Sequence, residues 1–274
     1  MFFRGGRSLI SALVILVGAT IGSVCAEETR TVINAATTPA APPTEYVDQK
    51  SNKLAGFDIE LLEAIAAKMG VNVNWIQTSW EQLYPSLKTK RADVIVDALA
   101  DMPERRASVS YVDYANDYVT MVTLHDNAAR FPSLETVCGA RVGNRRSSQW
   151  NVAVAEWNAE HCVKAGRPAI VLVGTDSSAD SRLQLKQGRI DVAVQEAFLI
   201  GYQNSIENNL YVRIGKPFYS QLMGIGFSKD DPDLGNAIKV ALEKLIADGT
   251  YQNLLAKWGM ADAAIRKVTI NGQP

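Results

Sequence analysis

The chain has 274 residues, 47% of them hydrophobic and 21% charged, with a formal net charge of −1. That length suffices for one large domain or for two lobes with real cores, and the composition is that of an ordinary globular protein. The near-neutral balance, with no long basic run, excludes a nucleic-acid-binding face, which needs concentrated positive charge.

Residues 1–26 read as an export signal. Arg4 and Arg7 form a positive start, an apolar run covers 9–17, and Val24-Cys25-Ala26 resembles a small-residue cleavage site. Removing this segment takes away Cys25 and leaves Cys138 and Cys162 as an even pair. In an oxidising compartment a disulfide between them is the default, worth about 3 kcal/mol in the loop-entropy model.

After the signal, 31–36 reads as a strand, 39–43 as a loop and 48–53 as a polar turn. Gly56-Phe57-Asp58 opens a helix with Asp58 as its N-cap. Ile59, Leu62, Ile65, Ala66 and Met69 share one face, and Gly70 stops the helix. Val71, Val73 and Trp75 alternate with Asn72 and Asn74 as a strand. A helix over 80–89 and a strand over 93–98 complete a β-α-β rhythm, hence a largely parallel sheet. The rhythm then repeats. Strands are predicted over 118–124, 141–143, 170–173, 192–195 and 224–227. Helices are predicted over 150–160, up to 187, over 234–247 and from 250 to 258, with a loose tail after 264.

Two stretches nearly repeat each other: Arg91-Ala92-Asp93-Val94-Ile95-Val96-Asp97 and Arg189-Ile190-Asp191-Val192-Ala193-Val194-Gln195. Each follows a helix-like run and enters an apolar strand. The echo implies two similar α/β lobes whose strands end at one cleft, since ligands of open α/β sheets sit beyond the strands' C-terminal ends.

Much familiar chemistry is missing. The chain has two histidines, His125 and His161, and no Cys-x-x-Cys, so no metal site is expected. There is no Gly-x-Ser-x-Gly nucleophile motif. Gly224-Ile225-Gly226 lacks the third glycine and following helix of a dinucleotide loop, so no cofactor is expected.

Several blocks carry a resemblance, in order: Gly56-Phe57-Asp58-Ile59-Glu60-Leu61 with Ala64-Ile65-Ala66 and Gly70, Trp80 to Leu87, and Pro103-Glu104-Arg105-Arg106. Gly188-Arg189-Ile190-Asp191, Asp248-Gly249-Thr250 and Lys257-Trp258-Gly259 continue the series. Together they resemble the periplasmic solute-binding proteins of the polar-amino-acid ABC transporters (family 3), over almost all of 30–260. The resemblance implies the type II periplasmic-binding-protein fold. In it, two α/β lobes, each a mixed, mostly parallel sheet flanked by helices, are joined by two hinge strands. Lobe I would take 27–114 and 224–274, lobe II 120–218, and the hinges 115–119 and 219–223.

The resemblance also implies site residues. Arg105 occupies the position that binds the ligand's carboxylate, a task suited to a planar guanidinium with parallel donors. Glu196 stands where an Asp usually takes the ligand ammonium. Trp80 aligns with an apolar platform under the ligand, and plain core packing is an equal reading of it. Ala98 and Ala100 belong to the binding stretch, with Ala100 replacing a hydroxyl residue so that only its N–H could serve. Met102 also replaces a common Thr. Arg145, Ser148 and Gln149 lie in the second-lobe loop, where Ser147 replaces a central Gly. The sequence does not choose between Arg145 and Arg146 for the pocket. Ala41 and Thr44 stand where aromatic residues commonly cover the ligand, which leaves Tyr46 as a candidate cover.

The expected function is capture of a small zwitterion, an amino acid or a derivative, by an exported monomer that delivers it to an inner-membrane ABC permease. Two other classes are weighed beside it. One is a periplasmic dehydratase acting on a prephenate-like acid, with Glu196 as the acid. The other is a permease-free sensory or dehydrogenase-associated binding module.

Overall fold

The computed structural model describes residues 1–2, 30–146, 148 and 150–273. The export signal and Cys25 lie outside the described residues. β1 (Val32–Thr37), β2 (Ala40–Ala41), β3 (Glu45–Asp48) and β4 (Lys53–Ala55) precede α1 (Phe57–Met69). Then come β5 (Asn72–Gln77), α2 (Trp80–Lys88), β6 (Val94–Ile95) and the long β7 (Ser110–Leu124). β8 (Arg141–Arg145), α3 (Trp150–Asn158), β9 (Val171–Thr175), α4 (Ser178–Lys186), β10 (Val192–Glu196), α5 (Ala197–Ile206) and β11 (Tyr211–Arg213) follow. The chain closes with β12 (Tyr219–Phe227), α6 (Pro232–Ala247), α7 (Thr250–Lys257) and β13 (Thr269–Ile270).

These strands form a 10-stranded sheet in the order β5-β1-β6-β12-β7-β10-β8-β9, with β11 and β13 pairing β7, and a separate small sheet of β2, β3 and β4. Pairing is parallel at both ends, β5-β1-β6 and β10-β8-β9, and antiparallel in the middle. β7 runs from one parallel half to the other and β12 runs back beside it, from Tyr219↔Val119 to Phe227↔Ser110, with a register shift at Met223/Gly224. Gly224 is required there, since a Cβ would come 2.6 Å from Cβ of Tyr111.

Each half has its own cores. Ile33, Leu61, Leu62, Val112, Ile225, Ile238 and Leu242 fill one face of the β5-β1-β6 half. Leu83, Ile95, Leu99 and Tyr111 fill the other. The β10-β8-β9 half packs Val119, Val142, Trp150, Val154 and Trp157 on one side, and Val122, Leu185, Ile190 and Ile200 on the other. Cys138 and Cys162 are joined, with their Cα atoms 5.5 Å apart, beside the first of these two cores.

Four local expectations change. Gly56, with φ 130, precedes α1, and Asp58 is not its N-cap but turns inward to bonds across the fold. Gly56 must be glycine, because a Cβ would meet the Thr44 carbonyl oxygen at 2.2 Å. The strand predicted over 93–98 pairs only at Val94–Ile95, since its polar end leaves the sheet. The helix from Trp150 ends at Asn158 and continues as a π-turn through Val163. The tail after Ala264 is docked rather than loose, with β13 pairing Thr269↔Asp113 and Ile270↔Val112.

Candidate functional site

Arg105 opens a single 3-10 turn after Pro103-Glu104, where its amide bonds the Met102 carbonyl at 2.9 Å. Its guanidinium carbon lies 5.9 Å from the ring centroids of both Trp80 and Tyr84, within cation–π range. Nη1 donates to the Ala100 carbonyl at 3.3 Å, which commits one of the five guanidinium donors. Trp80, the first residue of α2, is 46% exposed, so it lies at the surface and not in the core. Ala100 faces Met223 at the non-hydrogen-bonded position of an antiparallel bridge, because Asp101 N bonds Leu222 O and Gly224 N bonds Leu99 O. The bridge therefore consumes neither its N–H nor its C=O. The structure thus brings Arg105, Trp80 and Ala100 together.

Ala98 adopts φ 43 and its N–H is taken by the Asp58 carboxyl at 2.7 Å. The other Asp58 oxygen accepts the Tyr114 hydroxyl at 2.8 Å. Glu45 and Asp97 complete a buried group of three carboxyls, 1% and 8% exposed, and Glu45 Oε2 and Asp97 Oδ2 have no hydrogen-bond partner. Burial pushes all three up: Glu45 well above the carboxylate range, helped by Asp58 and Asp97, Asp58 to about 6, and Asp97 in the same direction. Sequence reasoning missed this corner, although Asp97 ends the first copy of the echo.

Glu196 ends β10 and is the residue before α5, half-buried, with extended φ −68 and ψ 137. It pairs Val119 on β7. Its charge adds to burial in pushing Asp117 up to about 8, and Gln221 Nε2 donates to that Asp at 3.1 Å. Asp117 and Gln221 face each other across the two crossing strands. Among the described residues no hydrogen bond or ion pair joins Glu196 to Arg105. Asp117 also went unremarked, although it falls in the first predicted hinge.

The loop after β8 is braced from within. Asn144 Nδ2 bonds Asn151 Oδ1 at 2.8 Å, and Asn151 Nδ2 holds the carbonyls of Arg145 and Arg146 at 3.2 and 3.0 Å. Arg146 turns away to the Gly174 carbonyl at 2.7 Å and to the Asp176 carboxylate. Arg145 is exposed, and its guanidinium has no partner among the described residues. Ser148 is buried with its hydroxyl accepting the Trp150 amide at 3.1 Å, so it starts α3. Gln149 and Ser147 lie outside the described residues. Tyr46 stands edge-on against Trp258, ring centroids 6.2 Å apart. No group of His, Cys, Asp or Glu able to hold a metal occurs among the described residues.

The sheet order and the two strands that cross between its parallel halves are those of a type II periplasmic-binding fold. The chain belongs to the bacterial extracellular solute-binding proteins, family 3, whose model matches residues 33–261. It is 27% identical over 262 residues to the lysine/arginine/ornithine-binding periplasmic protein of Escherichia coli, covering 92% of this chain and 96% of that one. It is 25% identical over 249 residues to the arginine-binding protein 1 of an ABC transporter from the same organism, covering 89% and 96%. The L-cystine solute receptor of Neisseria gonorrhoeae shares the fold, with TM-score 0.71 and 22% identity over 87% of this chain and 96% of that one. The chain is thus a solute-binding protein of the amino-acid ABC-transporter class.

Proposed function

We propose that the protein captures an L-α-amino acid with a cationic side chain between two lobes and delivers it to an ABC permease. The carrying observation is Arg105, stacked over Trp80 and Tyr84 with one donor on Ala100 and the rest uncommitted. Those donors suit the ligand carboxylate in a two-pronged pair. Glu196 takes the ammonium from the second lobe. The partnerless oxygen of Asp97 favours a positive side chain, in keeping with the relatives named for arginine and for lysine, arginine and ornithine.

Residues 27–114 and 224–274 make lobe I, 120–218 lobe II, and 115–119 with 219–223 the hinges. A zwitterion spanning both lobes would bind the closed form better than the open one, and only such a difference drives closure. Export by residues 1–26 and a monomeric state complete the reading.

A thermal-shift panel of L-amino acids tests it, because a tight ligand must raise the melting temperature. Arginine, lysine or ornithine is expected to give the largest rise, and Arg105→Ala to abolish it while the protein stays folded. No response to any basic, acidic or polar amino acid defeats the reading. A second reading, dehydration of a prephenate-like acid, draws on the placing of Asp117 and Glu196 on adjoining strands, where burial and the Glu196 charge push Asp117 up to about 8. Formation of phenylpyruvate from prephenate would establish it.

A further inference from the structure

We infer that residues 264–273 form a clasp that positions the loop carrying Arg105. The functional weight of this inference rests on Arg105 as the carboxylate partner proposed above. The segment lies past the family match, which ends at residue 261. Chain ends stay loose unless something ties them down, and this one is tied at many points. Asn116 Nδ2 donates to the Ala264 carbonyl at 3.2 Å, and the Ile265 amide to the Tyr251 hydroxyl at 3.1 Å. β13 then pairs β7.

Two routes lead from the clasp to Arg105. In the first, Asn271 brackets Tyr111: its amide bonds the Tyr111 carbonyl at 3.0 Å and its Oδ1 accepts the Tyr111 amide at 2.9 Å. The Tyr111 hydroxyl meets the Tyr84 hydroxyl at 3.2 Å, and the Tyr84 ring lies under Arg105. In the second, Asp113 Oδ2 accepts the Thr269 hydroxyl at 2.5 Å and the Gly272 amide at 2.9 Å. Asp113 adjoins Asp101, whose carboxylate grips Arg106 at 2.6 and 2.8 Å, one residue from Arg105. Gly272, at φ 67, passes so near Arg106 that a Cβ would stand 3.1 Å from Nη2. The tail therefore braces both the platform ring and the turn beneath the arginine.

Amide hydrogen exchange on the full chain tests this without ligand. The variants are Asn271→Leu, Asn271→Asp and a chain ending at Val268. In Asn271→Leu and the shortened chain, the amides of Asp101, Arg105 and Arg106 should exchange about tenfold faster or more. That is the scale on which losing one or two hydrogen bonds shifts a local opening, Asn271→Leu removing the side-chain bonds to the Tyr111 amide and the Ser110 hydroxyl. Asn271→Asp keeps the acceptor for Tyr111 N and should stay near wild type. If the shortened chain does not fold, Asn271→Leu decides alone. The clasp is overturned if residues 101–106 exchange no faster than wild type, or only in step with Ala35 and Ile95 in the core. It is also overturned if Asn271→Asp behaves like Asn271→Leu. A silent amino-acid panel would sink the ligand reading and leave this result standing.

Discussion

Just before β6, Asp93 donates its amide to the Asn34 carbonyl at 2.8 Å, and its carboxyl takes back the Asn34 amide at 2.8 Å and side chain at 3.1 Å. Just before β10, Asp191 repeats the arrangement on β8. Its amide bonds the Arg141 carbonyl at 2.9 Å, and its carboxyl accepts the Arg141 amide at 3.1 Å and guanidinium at 2.9 and 3.0 Å. The repeated aspartate is therefore a clip that ties a neighbouring parallel strand to the chain just before β6 and β10. At their C-terminal ends the copies diverge. Gln195 is buried and satisfied, accepting from Arg182 at 3.0 Å and donating to the Ser178 carbonyl at 3.4 Å. Asp97 is buried beside Glu45 with an oxygen that has no partner. Likeness at one end builds two similar α/β halves, and unlikeness at the other leaves a buried acidic corner in one of them.

The largest expected difference between the halves is the disulfide, which braces only the β10-β8-β9 half. Cys138→Ser with Cys162→Ser should lower unfolding free energy by about 3 kcal/mol in urea titrations. A loss near zero would mean that half holds without its brace. The two clips come next. Asp93→Ala and Asp191→Ala should each cost about 2 kcal/mol, since each strands a backbone amide and a side-chain donor. Arg141 is partly exposed, so a cost for Asp191→Ala under about 1 kcal/mol, the range of a surface ion pair, would break the equivalence of the clips.

The sequence was legible where periodicity and glycine punctuation speak. The face of α1, its stop at Gly70 and the alternation of β5 all stand as read. The sense of the echo was legible only in part: it implied two α/β halves, but gave no sign that its aspartates, Asp93 and Asp191, tie neighbouring strands together. Asp58 looked like an N-cap because a cap is a local signal, whereas its partners, Ala98 and Tyr114, are 40 and 56 residues away. The acidic corner was invisible for the same reason, as Glu45, Asp58 and Asp97 meet only through tertiary packing. The tail was read as loose because composition says nothing about a long-range bracket such as Asn271 on Tyr111.

The smallest expected effects have opposite signs, which makes them the sharpest test of the divergent ends. Gln195→Ala should destabilise by about 1 kcal/mol, because Arg182 and the Ser178 carbonyl lose a partner. Asp97→Asn should stabilise by about 1 kcal/mol at pH 8, because it removes a buried acid held above its ordinary value by burial. A carboxyl raised in the folded state favours folding when protonated. Its contribution is complete below the unfolded value near 4 and is lost as pH rises through the folded one. Wild-type stability should therefore fall from pH 4 through at least pH 6, the value to which Asp58 is pushed, and Asp97→Asn should fall less steeply, so the two curves separate as pH rises. Thermal melts across this range decide it. An Asp97→Asn variant less stable than wild type at every pH would mean that the Asp97 carboxylate is satisfied in the unliganded protein, and the acidic corner would lose its claim on the proposed cationic ligand.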